Sequence, residues 1–464
     1  MALPAADRVE SLPDLGDDLL TSVAAQVSDV ATLCALACST KMFLRLVLFD
    51  DTSVATIWEP HLRALGWPSP TTGTRRRPSP SLFRAVRRVE VHWERCDQEV
   101  PARVARTLPG RTSSACCRLG DDMLIFGGTL NGNFGPVLGD LLLCTYDLTN
   151  ELLTIRPARE APSSSADDVS DSDVSDRPCA RRGHSFTAAT RCAPDRPHSS
   201  ACGVVLGGWS VGEVEMVPHL LTGSSGDGFV WRALDVNGSR PEGRAFHSAD
   251  AIGGGSRLII YGGLGHNCCR DDIAILDLEA SLWSVPSVGG VPRCVGGRAG
   301  HGSAFLPSLD GSGGGELVLI GGAMRSGYHR DAHQATVDVL KLSGGGEMRW
   351  SDDASWDAVR IAPVRTASHV VFGRSILSWG GASEDHTAND TVRILNVDRR
   401  SVRTLSSGVP APTPRTGALL LPFHGEVAVA VMGSADDSED DDDGGGGGDM
   451  TWCLRWELPT ADGA

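Results

Sequence analysis

Short apolar runs that end in two glycines recur along the chain. They are MLIFGG (123–128), GVVLGG (203–208), LIIYGG (258–263), LVLIGG (317–322) and ILSWGG (376–381), with a degenerate sixth, VAVAVMGS (427–434). Successive pairs are spaced by 80, 55, 59, 59 and 52 residues. Glycine weakens a strand unless the chain takes a positive φ or another backbone comes close, so the pairs mark the same turn in a repeated unit. A period near 50 residues is typical of β-propeller blades.

Two further marks accompany each glycine pair. Upstream lie GRTSSA (110–115), ARRGHS (180–185), GRAFHS (243–248), GRAGHG (297–302), VRTASH (364–369) and PRTGAL (414–419). Downstream, past a variable loop, comes another apolar strand, as in IAILDL (273–278) and VRILNV (392–397). Strand, glycine pair, loop and further strands describe a four-stranded blade. Six copies predict a mainly β protein with a six-bladed β-propeller over residues 87–458.

A ring of blades needs its seam closed, because an open sheet edge leaves unpaired backbone groups. The last repeat is expected to lack its own outer strand. The segment RRVEVHWERC (87–96) alternates apolar and polar residues as a strand does. We expect it to complete the last blade, with Trp93 placed as Trp283 is in its own blade.

Residues 10–66 do not follow the blade pattern. LPDLGDDLLTSVAAQVSDVATLCALACST (12–40) spaces its apolar side chains as short helices do, and Asp17 and Asp18 suit a helix N-terminus. The segment is too short for an independent core, so part of its apolar surface is expected to face a partner. Residues 67–86 are expected to be a linker.

The blade marks resemble the kelch repeat, and residues 12–58 resemble an F-box. The F-box marks are an L-P start at Leu12–Pro13 or at Leu15, D-L-L-x-x-V at 18–23, an Asp-led second helix and a later tryptophan, although Val27–Ser28 stands where the family has a proline. An F-box followed by kelch repeats is similar to plant and algal substrate receptors of cullin-based ubiquitin ligases. That group includes LOV-domain photoreceptors, but only eleven residues precede Leu12, so no LOV domain and no flavin are expected.

The resemblance implies the partners. The F-box would dock a Skp-type adaptor and through it a cullin, and the propeller would bind a protein substrate. The expected adaptor-facing residues are Leu15, Leu19, Leu20, Val23, Val30 and Leu33.

One arginine per repeat is a candidate for substrate binding. The six are Arg111, Arg181, Arg244, Arg298, Arg365 and Arg415. A ring of guanidinium groups could receive an acidic or phosphorylated peptide. Alternatively each Arg, with the histidines at 184, 247, 301 and 369, ties its own blade to the next, as expected for residues that recur with a scaffold. Nonrepeating loop residues are equal candidates: Trp209, His266, Arg325, Tyr328 and Arg330.

Charge and composition narrow the function further. Twelve acidic residues lie in 163–176 and 435–443, and without them the net charge of −16 becomes −4. We expect disordered acidic loops at 160–178 and 434–449. No basic patch suggests nucleic acid, and no apolar run of membrane length or secretory signal is present, which favours the cytoplasm or the nucleus. The thirteen cysteines have no metal-ligand spacing and are expected to be small, mostly buried hydrophobes.

The sequence gives little support for an enzymatic function. GWSVG (208–212) matches a nucleophile elbow at Ser210, but Gly208 belongs to a glycine pair and a helix does not follow. Tyr146 and Tyr261 lie in predicted strands, which disfavours a tyrosine-ligated copper site, and His329 and His333 lack a suitably spaced carboxylate. We therefore expect a non-catalytic subunit without cofactor or metal. The alternative function is a kelch-repeat interaction scaffold unrelated to ubiquitin.

Overall fold

The computed structural model describes the chain in segments. They are residues 90–95, 97–101, 105, 108, 110–130, 135–147, 150, 152–161, 175–191, 200–210, 216–266, 268–308, 313–324, 332–361, 364–372, 374–385, 387–405, 412–423, 427–434 and 451–457. The predicted helical domain at 10–66, the linker at 67–86 and most of both acidic segments lie outside these residues. The larger of two compact units, Val91–Leu306 with Gly313–Arg455, contains every contact described below. The second unit, residues 1–90 with 307–312 and 456–464, lies almost wholly outside the described residues.

The described residues are mainly β and form a β-propeller, as the repeats predict. Five blades each take their strands from one continuous stretch of chain. The first blade contains β2 (Asp97–Glu99), β3 (Ala115–Leu119), β4 (Asp122–Phe126), β5 (Leu141–Asp147) and β6 (Leu152–Pro157). The second contains β7 (Ser185–Arg191), β8 (Ser200–Leu206), β9 (His219–Ser224) and β10 (Gly228–Ala233). The third contains β11 (Asn237–Gly238), β12 (Ser248–Ile252), β13 (Arg257–Tyr261), β14 (Ile273–Asp277) and β15 (Leu282–Ser284).

The fourth and fifth blades follow the same plan. The fourth contains β16 (Val288–Gly289), β17 (Gly302–Pro307), β18 (Gly315–Ile320), β21 (Val337–Leu342) and β22 (Met348–Trp350), with a separate pair β19 (Ala323–Met324) and β20 (Ala332–His333). The fifth contains β23 (Ser368–Phe372), β24 (Ser375–Trp379), β25 (Val392–Asn396) and β26 (Ser401–Leu405). Short 3-10 turns occupy Gly253–Gly255 and Ala354–Ala358.

A further sheet combines strands from both ends of the described chain. It contains β1 (Glu90–Arg95), β27 (Leu419–Phe423), β28 (Val427–Val431) and β29 (Thr451–Glu457), in the order β1-β29-β28-β27. We call it the terminal sheet. The strand at 90–95 is therefore the outer neighbour of β29. The side chain of Trp93 lies outside what the structure describes.

Each apolar run forms the second strand from the axis in its blade, and the third blade packs against the second blade on one face and the fourth on the other. In the third blade β13 pairs antiparallel with β12 on one side and β14 on the other, and four of its five residues are buried. A strand covered on both faces needs a continuous apolar run rather than an alternating one. The hydrophobic clusters lie between successive sheets. Ile125 and Leu142 of the first blade pack with Leu421 and Val429 of the terminal sheet.

Backbone hydrogen bonds link the sheets in sequence. The amide of the second glycine in each pair donates to a carbonyl at the start of the next unit. The bonds are Gly128–Arg181 (2.8 Å), Gly208–Arg244, Gly263–Arg298, Gly322–Val364 and Gly381–Arg415 (2.9 Å each), and Gly433–Arg111 (2.8 Å). The last bond leads from the terminal sheet back to the first blade.

A second set of bonds runs around the axis. One residue per unit, which we call the axial residue, has a φ of 55 to 64°. The axial residues are Ser113, Gly183, Phe246, Gly300, Thr366 and Gly417. The amides of Gly183, Phe246, Gly300, Thr366 and Gly417 each donate to the carbonyl of the preceding axial residue, at 2.6 to 3.3 Å.

Two further properties of the described chain concern its cysteines and its helices. The eight described cysteines are all free thiols. Within the described ranges no helix has the length and apolar character needed to cross a bilayer.

Candidate functional site

Five of the six recurring arginines are buried inside their own units. Arg111, Arg181, Arg244, Arg298 and Arg415 have exposed fractions of 0%, 5%, 1%, 0% and 9%. Each donates from its guanidinium to a carbonyl of its own glycine pair. The acceptors are Gly127 (2.9 Å), Gly207 (3.0 Å), Gly262 (3.1 Å), Gly321 (3.1 Å) and Gly433 (3.2 Å). Each guanidinium therefore fixes the turn after the second strand of its own unit. The tie between neighbouring blades that was weighed against substrate binding is made by the backbone carbonyls of these arginines rather than by their side chains.

Three of these guanidinium groups also pair with carboxylates. Arg111 pairs with Asp140, and Arg244 pairs with Asp272 at 2.5 and 2.8 Å. Burial alone would raise the pKa of Asp272, but the hydrogen bond and charge of Arg244 lower it below its ordinary value.

The third pair is the most enclosed. Arg298 and Asp338 have exposed fractions of 0% and 1%. Asp338 also accepts hydrogen bonds from the backbone amides of Arg293 and Cys294. A buried carboxylate with several donors is a structural anchor rather than a binding group.

Arg365 does not occupy the position that its motif predicts. The carbonyl bonded by Gly322 belongs to Val364, which is buried in the place held elsewhere by arginine. Arg365 instead bridges Ala382, just as Arg182 bridges Trp209 in the second blade. The arginine set is thus offset by one residue in the fifth blade, and Arg365 belongs to a different ring of positions.

Three of the four histidines pack between neighbouring blades. A Cβ on Gly127 would lie 2.7 Å from Cε1 of His184, and one on Gly208 would lie 2.7 Å from Cβ of the same histidine. His247 and His301 occupy the equivalent places against their own glycine pairs. The close approach of a side chain, together with φ above +50°, explains the paired glycines.

The histidines are neutral at physiological pH. Burial and the neighbouring arginines hold the pKa of His184 and His301 well below the ordinary value. Burial, aided by Arg244, lowers the pKa of His247 to about 3, and burial lowers that of His369 to about 4. His369 lies two residues beyond the position equivalent to His184, because Ser185 and Ser368 begin equivalent strands.

The inner strands surround a pocket of about 300 Å³ on the propeller axis. All six axial residues line it, as do His184, His247, His301 and His369. Eight of its lining residues carry hydroxyls: Ser113, Ser114, Ser185, Thr187, Ser248, Ser303, Thr366 and Ser368. None of the described lining residues is Asp, Glu, Lys or Arg. The pocket is therefore polar and formally uncharged.

An aromatic cluster stands on the second-blade side of this pocket. Phe246 is an axial residue with a φ of 56°, and its ring carbons would lie 3.0 Å from a Cβ on Gly183. Trp209 meets Phe246 edge to face, with centroids 5.5 Å apart and an interplanar angle of 83°. The guanidinium carbon of Arg182 lies 5.4 Å from the Trp209 centroid. We call these three residues the aromatic ledge.

The other residues singled out in the sequence do not line the axial pocket or lie outside the described residues. Ser210 follows the Trp209 bridge and accepts a hydrogen bond from the thiol of Cys179 at 3.2 Å. Tyr146 and Tyr261 are buried in β5 and β13, and burial raises the pKa of Tyr261. His266 is exposed. The loop residues Arg325, Tyr328, His329 and Arg330 and all six adaptor-facing candidates lie outside the described residues.

Sequence reasoning named Trp209 as a candidate but missed the ring of axial residues and the other two members of the aromatic ledge. A signal was available, since glycine stands two residues after the recurring arginine at 183, 300 and 417. No cluster of three or more His, Cys, Asp or Glu that could hold a metal ion occurs among the residues with described positions.

Comparison with known proteins places the chain near two groups of plant proteins. It is 28% identical over 263 residues to putative adagio-like protein 2 and 28% identical over 264 residues to adagio-like protein 1, both of Oryza sativa subsp. japonica. It is 33% identical over 324 residues to acyl-CoA-binding domain-containing protein 4 of Arabidopsis thaliana. These matches cover 53%, 53% and 68% of the chain, but only 38%, 39% and 41% of the relatives' own lengths. No family model matches the chain.

Proposed function

We propose that the chain is the substrate-recognition subunit of an SCF-type (Skp–cullin–F-box) ubiquitin ligase. Residues 10–66 would form the F-box, dock a Skp-type adaptor and reach a cullin through it. The propeller would bind the protein substrate. The observation that carries the proposal is the presence, on one chain, of an F-box-like segment and a propeller with an accessible axial pocket. The similarity to adagio-like proteins supports the F-box–kelch resemblance at a distance.

The proposed architecture is a closed six-bladed kelch-type ring over residues 87–458. The six amide-to-carbonyl bonds support it, because following them from Gly128 through the units leads back to Arg111. The order β1-β29-β28-β27 supports closure of the sixth blade by the strand at 90–95. Closing a propeller with strands from both ends removes the exposed edge that an open ring would leave.

No reaction takes place on this chain in the proposed mechanism. Its work is positioning, since holding a substrate lysine near a ubiquitin thioester raises the effective concentration of the reacting groups. The arginines that pack inside the blades support this work indirectly by fixing the scaffold. Direct substrate binding by Arg111, Arg181, Arg244, Arg298 and Arg415 would need these groups to leave their carbonyl partners.

The test is adaptor binding by the full chain. Purified Skp-type adaptor is expected to bind the wild type and to lose binding to the Leu19→Asp/Leu20→Asp variant. Leu82→Asp is the matched control, because it makes the same chemical change in the proposed linker. Adaptor binding that survives Leu19→Asp/Leu20→Asp, or that the wild type lacks, would favour the alternative of a scaffold unrelated to ubiquitin.

A further inference from the structure

Phe246 of the aromatic ledge is one of three axial residues, with Ser113 and Thr366, that hold a positive φ without being glycine. Three axial residues are glycines, which adopt a φ near +60° at little cost. Phe246 holds the same conformation with a bulky side chain, at a φ of 56°. Such conformations are disfavoured for residues with a large side chain and tend to occur at functional sites. This conformation places an aromatic ring among the residues that line the axial pocket.

The neighbouring groups give the ledge both apolar and cationic character. Trp209 is half-buried, so one part of its ring packs on Phe246 and another part remains accessible. Arg182 stacks over the same indole at 5.4 Å. Aromatic residues and arginine often contribute most of the binding free energy at protein interfaces.

The charge of the residues next to the axial ring decides which ligand suits this region. Each axial residue is preceded by a residue that we call its rim residue: Thr112, Arg182, Ala245, Ala299, Arg365 and Thr416. Arg182 and Arg365 are partly exposed, whereas the other four are buried, and none of the six is acidic. Arg182 and Arg365 lie three units apart in the order of the hydrogen-bonded ring, on the second and fifth blades. The pocket adds hydroxyl groups, of which those of Ser114, Thr187 and Thr366 already donate to backbone carbonyls. Its described lining contains no carboxylate that would repel an anion.

We propose that the ledge and the axial pocket bind a peptide segment of a partner protein that presents an anionic side chain, a carboxylate or a phosphate. The anionic group enters the pocket opening between Arg182 and the hydroxyl-lined wall. An apolar residue next to it packs on Phe246 and Trp209. This inference rests on the proposed role of the propeller in substrate binding and specifies the chemistry of that substrate.

The experiment starts from peptide selection. A phage-displayed library of random dodecapeptides is selected on the full chain, with counter-selection on the Arg182→Ser/Phe246→Gly variant. We expect enriched peptides to contain an acidic residue beside an apolar one. Synthetic versions should lose at least about tenfold in affinity when Glu or Asp becomes Gln or Asn, a loss typical of one charged contact. Versions with phosphoserine at the same position distinguish phosphate from carboxylate as the preferred anion.

Single variants separate binding from folding. Arg182→Ser and Phe246→Gly are each expected to weaken the selected peptides about tenfold or more. Phe246→Gly relieves the positive φ, so its melting temperature should stay close to that of the wild type. Ser281→Gly, which relieves a φ of 48° far from the pocket, and Arg349→Ser, an exposed outer-strand charge, are controls that should bind normally.

Three outcomes would overturn the inference: no enriched peptides, enriched peptides without acidic residues, or equal binding to the wild type and the ledge variants. Adaptor binding measured on the same variants keeps the two proposals apart. If the ledge variants bind the adaptor while the peptide result fails, only the inference about the ledge falls.

Discussion

The amide of Gly433 donates a hydrogen bond of 2.8 Å to the carbonyl oxygen of Arg111, more than 300 residues earlier in the chain. Five equivalent bonds link the other units. Because donor and acceptor are backbone groups, the bond does not depend on side-chain identity. It requires a positive φ in the turn, and at this turn the φ of 65° belongs to Met432, where the other five turns have glycine.

Replacing Met432 with glycine tests whether strain or packing dominates at this turn. The Met432 side chain is 3% exposed and packs in the core between the terminal sheet and the first blade. Losing a buried side chain of this size costs about 2–5 kcal/mol, whereas relief of the left-handed conformation returns about 1–2 kcal/mol. We expect Met432→Gly to lower the free energy of unfolding by about 2 kcal/mol, within a span of about 0–4 kcal/mol, measured by urea denaturation. A more stable variant would show that strain outweighs packing here.

Gly127→Ala provides the opposite case in the first blade. Its added Cβ would lie 2.5 Å from the carbonyl oxygen of Arg181 and 2.7 Å from Cε1 of His184. Both the contact and the φ of +64° disfavour alanine, so this variant should also lose stability, through strain rather than through a cavity.

The buried ion pairs should differ in their effect on stability. Arg298→Met leaves the carboxylate of Asp338 buried at 1% exposure without its cation, which is expected to cost about 3–5 kcal/mol. Arg244→Met should cost less, because water can reach Asp272, which is 47% exposed. Arg349→Met, at an exposed position, should change stability by less than about 0.5 kcal/mol. Urea denaturation of the three variants gives the order, and equal losses would show that solvent access to the partner is irrelevant.

The buried histidines predict loss of stability in mild acid. A histidine whose pKa is lower in the folded state binds fewer protons there than in the unfolded state below pH ~6.5, so stability falls as pH falls. For His247 and His369 the decline continues toward pH values of about 3 and about 4. Asp250 opposes the trend, since burial raises its pKa to about 6 and the folded state binds its proton more readily.

Because His184 and His301 act in the same direction, the histidines outweigh Asp250 below pH ~6. Each unopposed histidine contributes a slope of about 1.4 kcal/mol per pH unit. Urea denaturation between pH 7.5 and 5 should show the decline, and His247→Gln should make it shallower. The same pH slope in His247→Gln as in wild type would contradict the assignment of this histidine.

The fold was largely predictable from the sequence because the glycine pairs, the apolar runs and the preceding motif mark each unit independently. The register of the fifth blade was not. VRTASH carries an arginine and a histidine like GRAFHS, yet Val364 holds the arginine position. The hydrogen bond from the amide of Gly322 sets that register. Because its acceptor is a backbone carbonyl, any residue type can provide it, and the sequence does not reveal which residue does.

The candidate site was less predictable than the fold. The recurring arginines stood out in the sequence as charged residues. In the structure, five of them are buried and donate hydrogen bonds to glycine carbonyls inside the blades. The ledge depends on a phenylalanine with a positive φ, a conformation that glycine normally adopts. No local sequence pattern identifies such a residue. Its presence follows from the ring of axial residues, which is a tertiary feature.

The acidic insertion between the first and second blades should be removable without loss of the fold. The flanks of residues 162–174 are held on the second blade by their own contacts. Ala161 and Arg159 exchange backbone hydrogen bonds of 2.8 Å with Phe229. Glu160 accepts hydrogen bonds from Trp231 at 2.9 Å and from Arg177 at 2.7 and 3.0 Å.

Because Glu160 and Arg177 already touch, a short linker can join the two flanks, and shortening a loop costs little or slightly favours folding. Replacing 162–174 by about six Gly and Ser residues is expected to change the free energy of unfolding by less than about 1 kcal/mol, measured by urea denaturation. In the shortened chain, Glu160→Gln should remove up to about 1 kcal/mol, since the pair is partly exposed. A loss above about 2 kcal/mol from the deletion alone would mean that the acidic segment itself stabilises the propeller.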